Sequence, residues 1–147
     1  MKAPGLEAIV IVGLDDCVPG HTEQIDLLAQ RLRERYWHPI VEACAVMPPG
    51  PGLSEAFTKC VSRGAGRILV VPYAFEMGAD EFSVLAEAVH EVSRNFQGVR
   101  VFIGKPLGSD ESLVRLVDQR VRQSKEFPDV RELTLVKRGE YSDALWH

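Results

Sequence analysis

Acids, aromatics and a histidine gather at two places in this chain of 147 residues. Val10-Ile11-Val12-Gly13 runs into Leu14-Asp15-Asp16-Cys17, with His21 close behind. Ile68-Leu69-Val70-Val71-Pro72 runs through Tyr73 into Phe75-Glu76-Met77-Gly78-Ala79-Asp80 and then Glu81. Asp16, His21, Glu76 and Asp80 form a candidate metal-binding set, because oxygen ligands joined by one imidazole suit Fe(II), Mn(II) or Co(II). Glu76 and Asp80 are also the candidate proton-handling pair. Leu14, Asp15, Tyr73, Phe75 and Met77 could line a site for a flat ligand, since aromatic rings and a thioether pack well on such a face. Lys105, after Val99-Arg100-Val101-Phe102-Ile103, could meet a carboxylate. The plain alternative is solvated loop residues, with turn-forming aspartates and aromatics that only close the core.

The remaining candidates carry less. Glu87 and His90 stand at i, i+3, a spacing used by carboxylate-bridged metal sites, but no second pair accompanies them and they read as a polar helix flank. His38 precedes Pro39 at a turn, and the terminal His147 has no assigned role. Cys17, Cys44 and Cys60 are odd in number and lack CxxC spacing, which argues against a disulfide framework and a structural zinc site. Cys44 and Cys60 fit a core as small apolar residues.

These loops need elements to aim them. The two runs above read as buried parallel strands, Ile40 to Val46 as another, and Val99 to Ile103 as a fourth. Ile25, Leu28, Ala29, Leu32 and Tyr36 predict a helix over 22–36, ended by Trp37-His38-Pro39. Ser54 reads as the N-cap or first-turn residue of a helix burying Leu53, Ala56, Phe57, Cys60 and Val61, stopped at Gly64. Phe82, Leu85, Val89, Val92 and Phe96 mark a third helix. Ser109 is expected to cap a fourth that buries Leu113, Leu116, Val117 and Val121. The β-α alternation implies an α/β fold: a parallel sheet in a three-layer α/β/α sandwich, with ligand loops at the carboxyl ends of the strands.

Composition narrows the class. Seventeen Lys+Arg against 21 Asp+Glu give a net charge of −4 and no clustered basic surface, so no nucleic-acid partner is expected. The opening Met1-Lys2-Ala3-Pro4-Gly5 leads straight into a strand, and no apolar run is long enough for a signal segment or membrane span. The expectation is a cytoplasmic protein without membrane contact. Residues 1–127 are expected as the main domain and 128–147 as an extension with a strand over Val130 to Arg138.

Gly64-Ala65-Gly66-Arg67-Ile68-Leu69-Val70-Val71-Pro72, Gly104-Lys105-Pro106-Leu107-Gly108-Ser109-Asp110-Glu111-Ser112-Leu113, Ile40-Val41-Glu42-Ala43 and Pro51-Gly52-Leu53-Ser54-Glu55-Ala56 together resemble the small sirohydrochlorin cobaltochelatase/ferrochelatase family, a flavodoxin-like relative. The resemblance runs from about Ile9 to Val121. It implies a tetrapyrrole ligand, iron or cobalt as a substrate ion, no organic cofactor, and a homodimer in which two single units complete a shared cleft. Three positions depart from the family pattern: Leu14 stands where a histidine is usual, Met47 where a glutamate is, and Asp80 where a second histidine is. Metal insertion needs a base for the pyrrole protons, and an ordinary carboxylate is a weaker base near neutral pH than imidazole. The expectation is therefore a tetrapyrrole- or metal-binding family member with slow insertion or none. A non-catalytic binding or partner subunit is the alternative. A response-regulator-like reading of Asp15, Asp16, Asp80 and Lys105 has poor spacing.

Overall fold

Apolar residues on both faces of one strand organise the molecule. The computed structural model describes residues 5–14, 21–46, 52–108 and 110–132. Strands and helices alternate as β1 Leu6–Gly13, α1 His21–Tyr36, β2 Ile40–Ala45, α2 Leu53–Ser62, β3 Ala65–Tyr73, α3 Ala79–Ser93, β4 Arg100–Ile103 and α4 Glu111–Ser124, then a 3-10 turn at Val130–Glu132. The four strands make one parallel sheet in the order β2-β1-β3-β4. The chain divides into two compact units, Met1–Gly108 and Ser109–His147.

In the first unit, Ala8, Val10 and Val12 of β1 join Ile68 and Val70 of β3 in a cluster closed by Leu53, Ala56, Phe57 and Cys60 of α2 and Leu85 and Val89 of α3. Ile9 and Ile11, on the other face, pack with Val41 of β2 and with Ile25 and Ala29 of α1. The chain steps one way from β1 to β2 and the other way from β2 through β3 to β4. Right-handed crossovers therefore place α1 on one face and α2 with α3 on the other. The result is the expected three layers. At the β2 edge, the Arg33 guanidinium donates to the Val41 carbonyl, and Arg63 pairs with Glu42 at 3.0 Å.

Helix ends follow local rules, with one correction at the cap of α4. Trp37 leaves α1 at a φ of 60° just before His38-Pro39, and Gly64 ends the turn after α2 at a φ of 97°, where a residue without Cβ avoids a clash. The N-cap of α2 is Gly52, without a side-chain bond, and Ser54 takes the first-turn place that was one of its two expected positions. The cap of α4 is Asp110, whose carboxylate accepts from the Ser112 amide at 2.9 Å. That bond holds the Asp110 carboxyl below the usual range.

The second unit, taken by itself, corrects two further expectations. No residue of α4 is buried: Leu113 is partly covered, and Leu116, Val117 and Val121 are exposed. Periodicity defines an apolar stripe, but it does not supply the partner that covers it. The strand expected from Val130 begins instead as the 3-10 turn Val130–Glu132, where the Asp129 carboxylate accepts from the Arg131 amide at 2.8 Å. An aspartate bonded to the amide two residues on favours a turn over extended backbone. Residues 133–138 of that expected strand lie outside the described residues. No helix among the described residues is long and apolar enough to cross a membrane.

Cys44 and Cys60 are buried in the α2 face of the core. Burial is the main cause that pushes the Cys44 thiol from an ordinary 9.0 to about 12, with the nearby Cys60 adding to it. Burial likewise pushes Cys60 up to about 11. In a Cys17→Ser variant at pH 8, Ellman's reagent should find no fast-reacting thiol until urea unfolds the chain. Both folded pKa values are raised, so the associated stability is intact below the unfolded thiol value and declines as pH rises from there through about 11 to 12. Urea midpoints should fall less steeply above pH 9 in the variant carrying both Cys44→Ala and Cys60→Ala than in its parent.

Candidate functional site

Parallel pairing brings the strand ends into line. Gly13 at the end of β1 is the register partner of Ala45 on β2 and of Tyr73 on β3. The segments that follow therefore leave from one edge of the sheet. Leu14 comes directly after β1; it is half-buried and packs against the α2–α3 side of the core. Tyr73, the last residue of β3, packs on the α1 side. Beyond it, Phe75 is 60% exposed and Glu76 is exposed, while Met77 turns back against the core.

Gly78 is the N-cap of α3 and makes no side-chain cap bond. Asp80 and Glu81 occupy the exposed first turn, where negative charge is favourable beside the positive end of the helix. On the other side of Phe75, the loop after β4 is tied down by backbone bonds. The amides of Gly104, Leu107 and Gly108 donate to the carbonyls of Val70, Ala74 and Phe75, each at 2.8 Å. Lys105 is exposed in that loop.

The structure thus sets Leu14, Tyr73, Phe75, Glu76, Met77, Asp80 and Lys105 at one end of the sheet. His21, the first residue of α1, starts at that same end. Asp15, Asp16, Cys17 and Met47 lie outside the described residues. His38 precedes β2 and His90 lies in the last turn of α3, so both belong to the opposite end. Among the described residues, no three His, Cys, Asp or Glu side chains come together as a group that could hold a metal ion. Glu76 and Asp80 alone do not make up the ligand set of a divalent ion. Leu107 was not singled out as a site residue from sequence. The signal was present in Gly104-Lys105-Pro106-Leu107-Gly108, which served there only as a landmark of the frame.

Chemically, this end offers exposed carboxylates, one exposed lysine and a mixture of aromatic and aliphatic surface. Carboxylates suit loosely held divalent ions, and the apolar surface suits a planar ring.

Comparison with known proteins gives this arrangement a context. The CbiX family profile matches residues 8–124. A sirohydrochlorin ferrochelatase from Priestia megaterium is 25% identical over 119 residues, which cover 81% of this chain and 45% of that protein. A sirohydrochlorin cobaltochelatase from Methanocaldococcus jannaschii is 37% identical over 67 residues, 46% of this chain and 47% of that protein. The solved structure of SirB from Bacillus subtilis with Fe3+ matches with a TM-score of 0.72 at 26% identity, covering 80% of this chain and 47% of that one. The chain spans about half the length of the curated relatives it matches. Because the profile match opens within β1 and closes at the end of α4, it takes in all four strands and the loops at their carboxyl ends, and this chain belongs to the CbiX family.

Proposed function

We propose that the chain binds a tetrapyrrole, a divalent metal ion or both at the carboxyl end of its sheet, as a sirohydrochlorin chelatase-like protein with weak or absent insertion activity. The carrying observation is the family match across residues 8–124, which includes every loop at that end. Relatives bearing the names sirohydrochlorin ferrochelatase and sirohydrochlorin cobaltochelatase support iron or cobalt as the substrate ion.

Insertion exchanges two pyrrole protons for one divalent cation. Some group must take those protons, and the ion must be held loosely enough to be passed on. Glu76 and Asp80 are the proposed proton acceptors and oxygen ligands, with Asp16 and His21 completing the ion's shell. Asp15, Leu14, Tyr73, Phe75 and Met77 are proposed to face the macrocycle, and Lys105 its carboxylates. A second reading is favoured by Leu14, which packs into the core: an alkyl side chain neither binds an ion nor accepts a proton. On that reading the chain is a non-catalytic tetrapyrrole-binding or partner subunit.

Sirohydrochlorin added to the purified protein should shift the absorption spectrum. Co(II) or Fe(II) added next should give slow conversion or none. Rapid conversion would overturn the proposal of weak activity, and no shift at all would overturn tetrapyrrole binding.

Substitution separates metal handling from folding. Leu14→His with Asp80→His should raise Co(II) affinity in calorimetric titration, since each adds a borderline nitrogen donor, and should speed conversion by about a hundredfold if the new imidazoles serve as bases. Glu76→Ala with Asp80→Ala should abolish native Co(II) binding and leave the melting temperature nearly unchanged, because both side chains are exposed. Identical Co(II) binding by both double variants and the parent would remove metal from the reading.

The chain is also proposed to pair with itself, because one family-like unit supplies half of a cleft that two would close. Light scattering at micromolar concentration should then report twice the mass of 16.3 kDa. A monomer at that concentration would refute it.

A further inference from the structure

Parallel pairing does not stop where β3 and β4 end. Ile103, the last residue of β4, is the register partner of Val70. The amides of Gly104, Leu107 and Gly108 then carry the contact along Val70, Ala74 and Phe75. The chain turns at Gly108, whose φ of 60° is one that L side chains rarely adopt. Pro106 removes further freedom from the same loop. Two large apolar side chains are consequently held on hydrogen-bonded neighbouring backbone, yet neither is buried: Phe75 is 60% exposed and Leu107 40%. A rigid loop that keeps apolar surface in water is poor design for stability alone, because covering it would be favourable.

We infer that Leu107, together with Phe75, is a contact residue for one face of the bound macrocycle, that Lys105 in the same loop takes a carboxylate at its rim, and that Gly108 positions the pair. This rests on the tetrapyrrole reading above. The occupant that fits is a planar polycarboxylate, apolar across its ring face and anionic at its edge. Charge also orients it. Glu76, Asp80 and Glu81 are carried by the loop after β3 and the first turn of α3, and they would repel rim carboxylates. Lys105, across the hydrogen-bonded loop pair, would attract them. A rim carboxylate is therefore held at the loop after β4, away from the acids that begin α3.

The experiment is absorption titration of the full chain with sirohydrochlorin, with melting temperature recorded for every variant. Leu107→Ala and Phe75→Ala should each weaken binding by about three- to tenfold, the range for losing part of one apolar contact. Leu107→Met should bind like the parent. Lys105→Ala should weaken binding and reduce its sensitivity to salt. Gly108→Val should weaken it as well, whereas Gly108→Asn should recover most of the affinity, since asparagine tolerates this φ. Melting temperatures of the Leu107, Phe75 and Lys105 variants should stay close to the parent's. No binding by the parent would overturn the tetrapyrrole reading and this inference with it. Binding by the parent that is unchanged in Leu107→Ala and Phe75→Ala would overturn the inference alone.

Discussion

Burial of β1 on both faces is the constraint from which the rest follows. Ala8, Val10 and Val12 face α2 and α3, and Ile9 and Ile11 face α1. A strand without a wet face must be covered twice, and its parallel partners must be reached by crossover connections, so the helices serve as both cover and connection. A one-residue slip would move Ile9 and Ile11 into the face that Phe57 and Leu85 already fill and leave the smaller Ala8 toward α1. Both the overfilled and the underfilled face would be penalised. The register that avoids this aligns Gly13 with Ala45 and Tyr73. A common edge for the chemical loops is therefore a consequence of core packing, and it holds whatever side chains those loops carry.

This explains how much could be read from sequence. Continuous apolar runs in β1 and β3 and the i, i+4 stripe of Leu85 and Val89 are local patterns, and they specify strands and a helix directly. Topology follows from their alternation through the right-handed crossover rule. The stripe of α4 was equally legible, but its burial was not, because a stripe says nothing of the surface opposite it. Val130 to Glu132 misled for a similar reason: β propensity was weighed without the competing bond from the Asp129 side chain. The site was legible residue by residue only. That Leu107 lies beside Ala74, and Gly108 beside Phe75, depends on backbone bonds between segments far apart in sequence. No periodicity encodes such a pairing.

Leu14 shows how packing and chemistry compete at one position. Half-buried against the core, it extends the apolar side of the sheet by one residue past β1. An imidazole there would have to keep at least one nitrogen bonded or solvated, or incur the cost of a buried polar group. Leucine makes no such demand and adds apolar burial, so it suits the fold at this position.

Asp80, a proposed ligand, also stands where a helix start favours an acid, and this bears on how any substitution there is interpreted. With Gly78 as N-cap and no side chain bonded to the first turn, α3 begins with amides that no cap satisfies. Acidic side chains in that turn stabilise the helix by about 0.3–1 kcal/mol each through the field of those amides. Asp80 and Glu81 would therefore have a structural reason to be acidic even in a protein that never met a metal. The two roles differ in how they respond to neutral substitution. Loss of the helix contribution lowers stability slightly and is shared with Glu81, while loss of a ligand would remove ion binding and involve Glu76, which lies outside the helix. Coupling between Asp80 and Glu76 in ion affinity, without coupling between them in stability, is the signature that separates a metal site from a well-placed helix start.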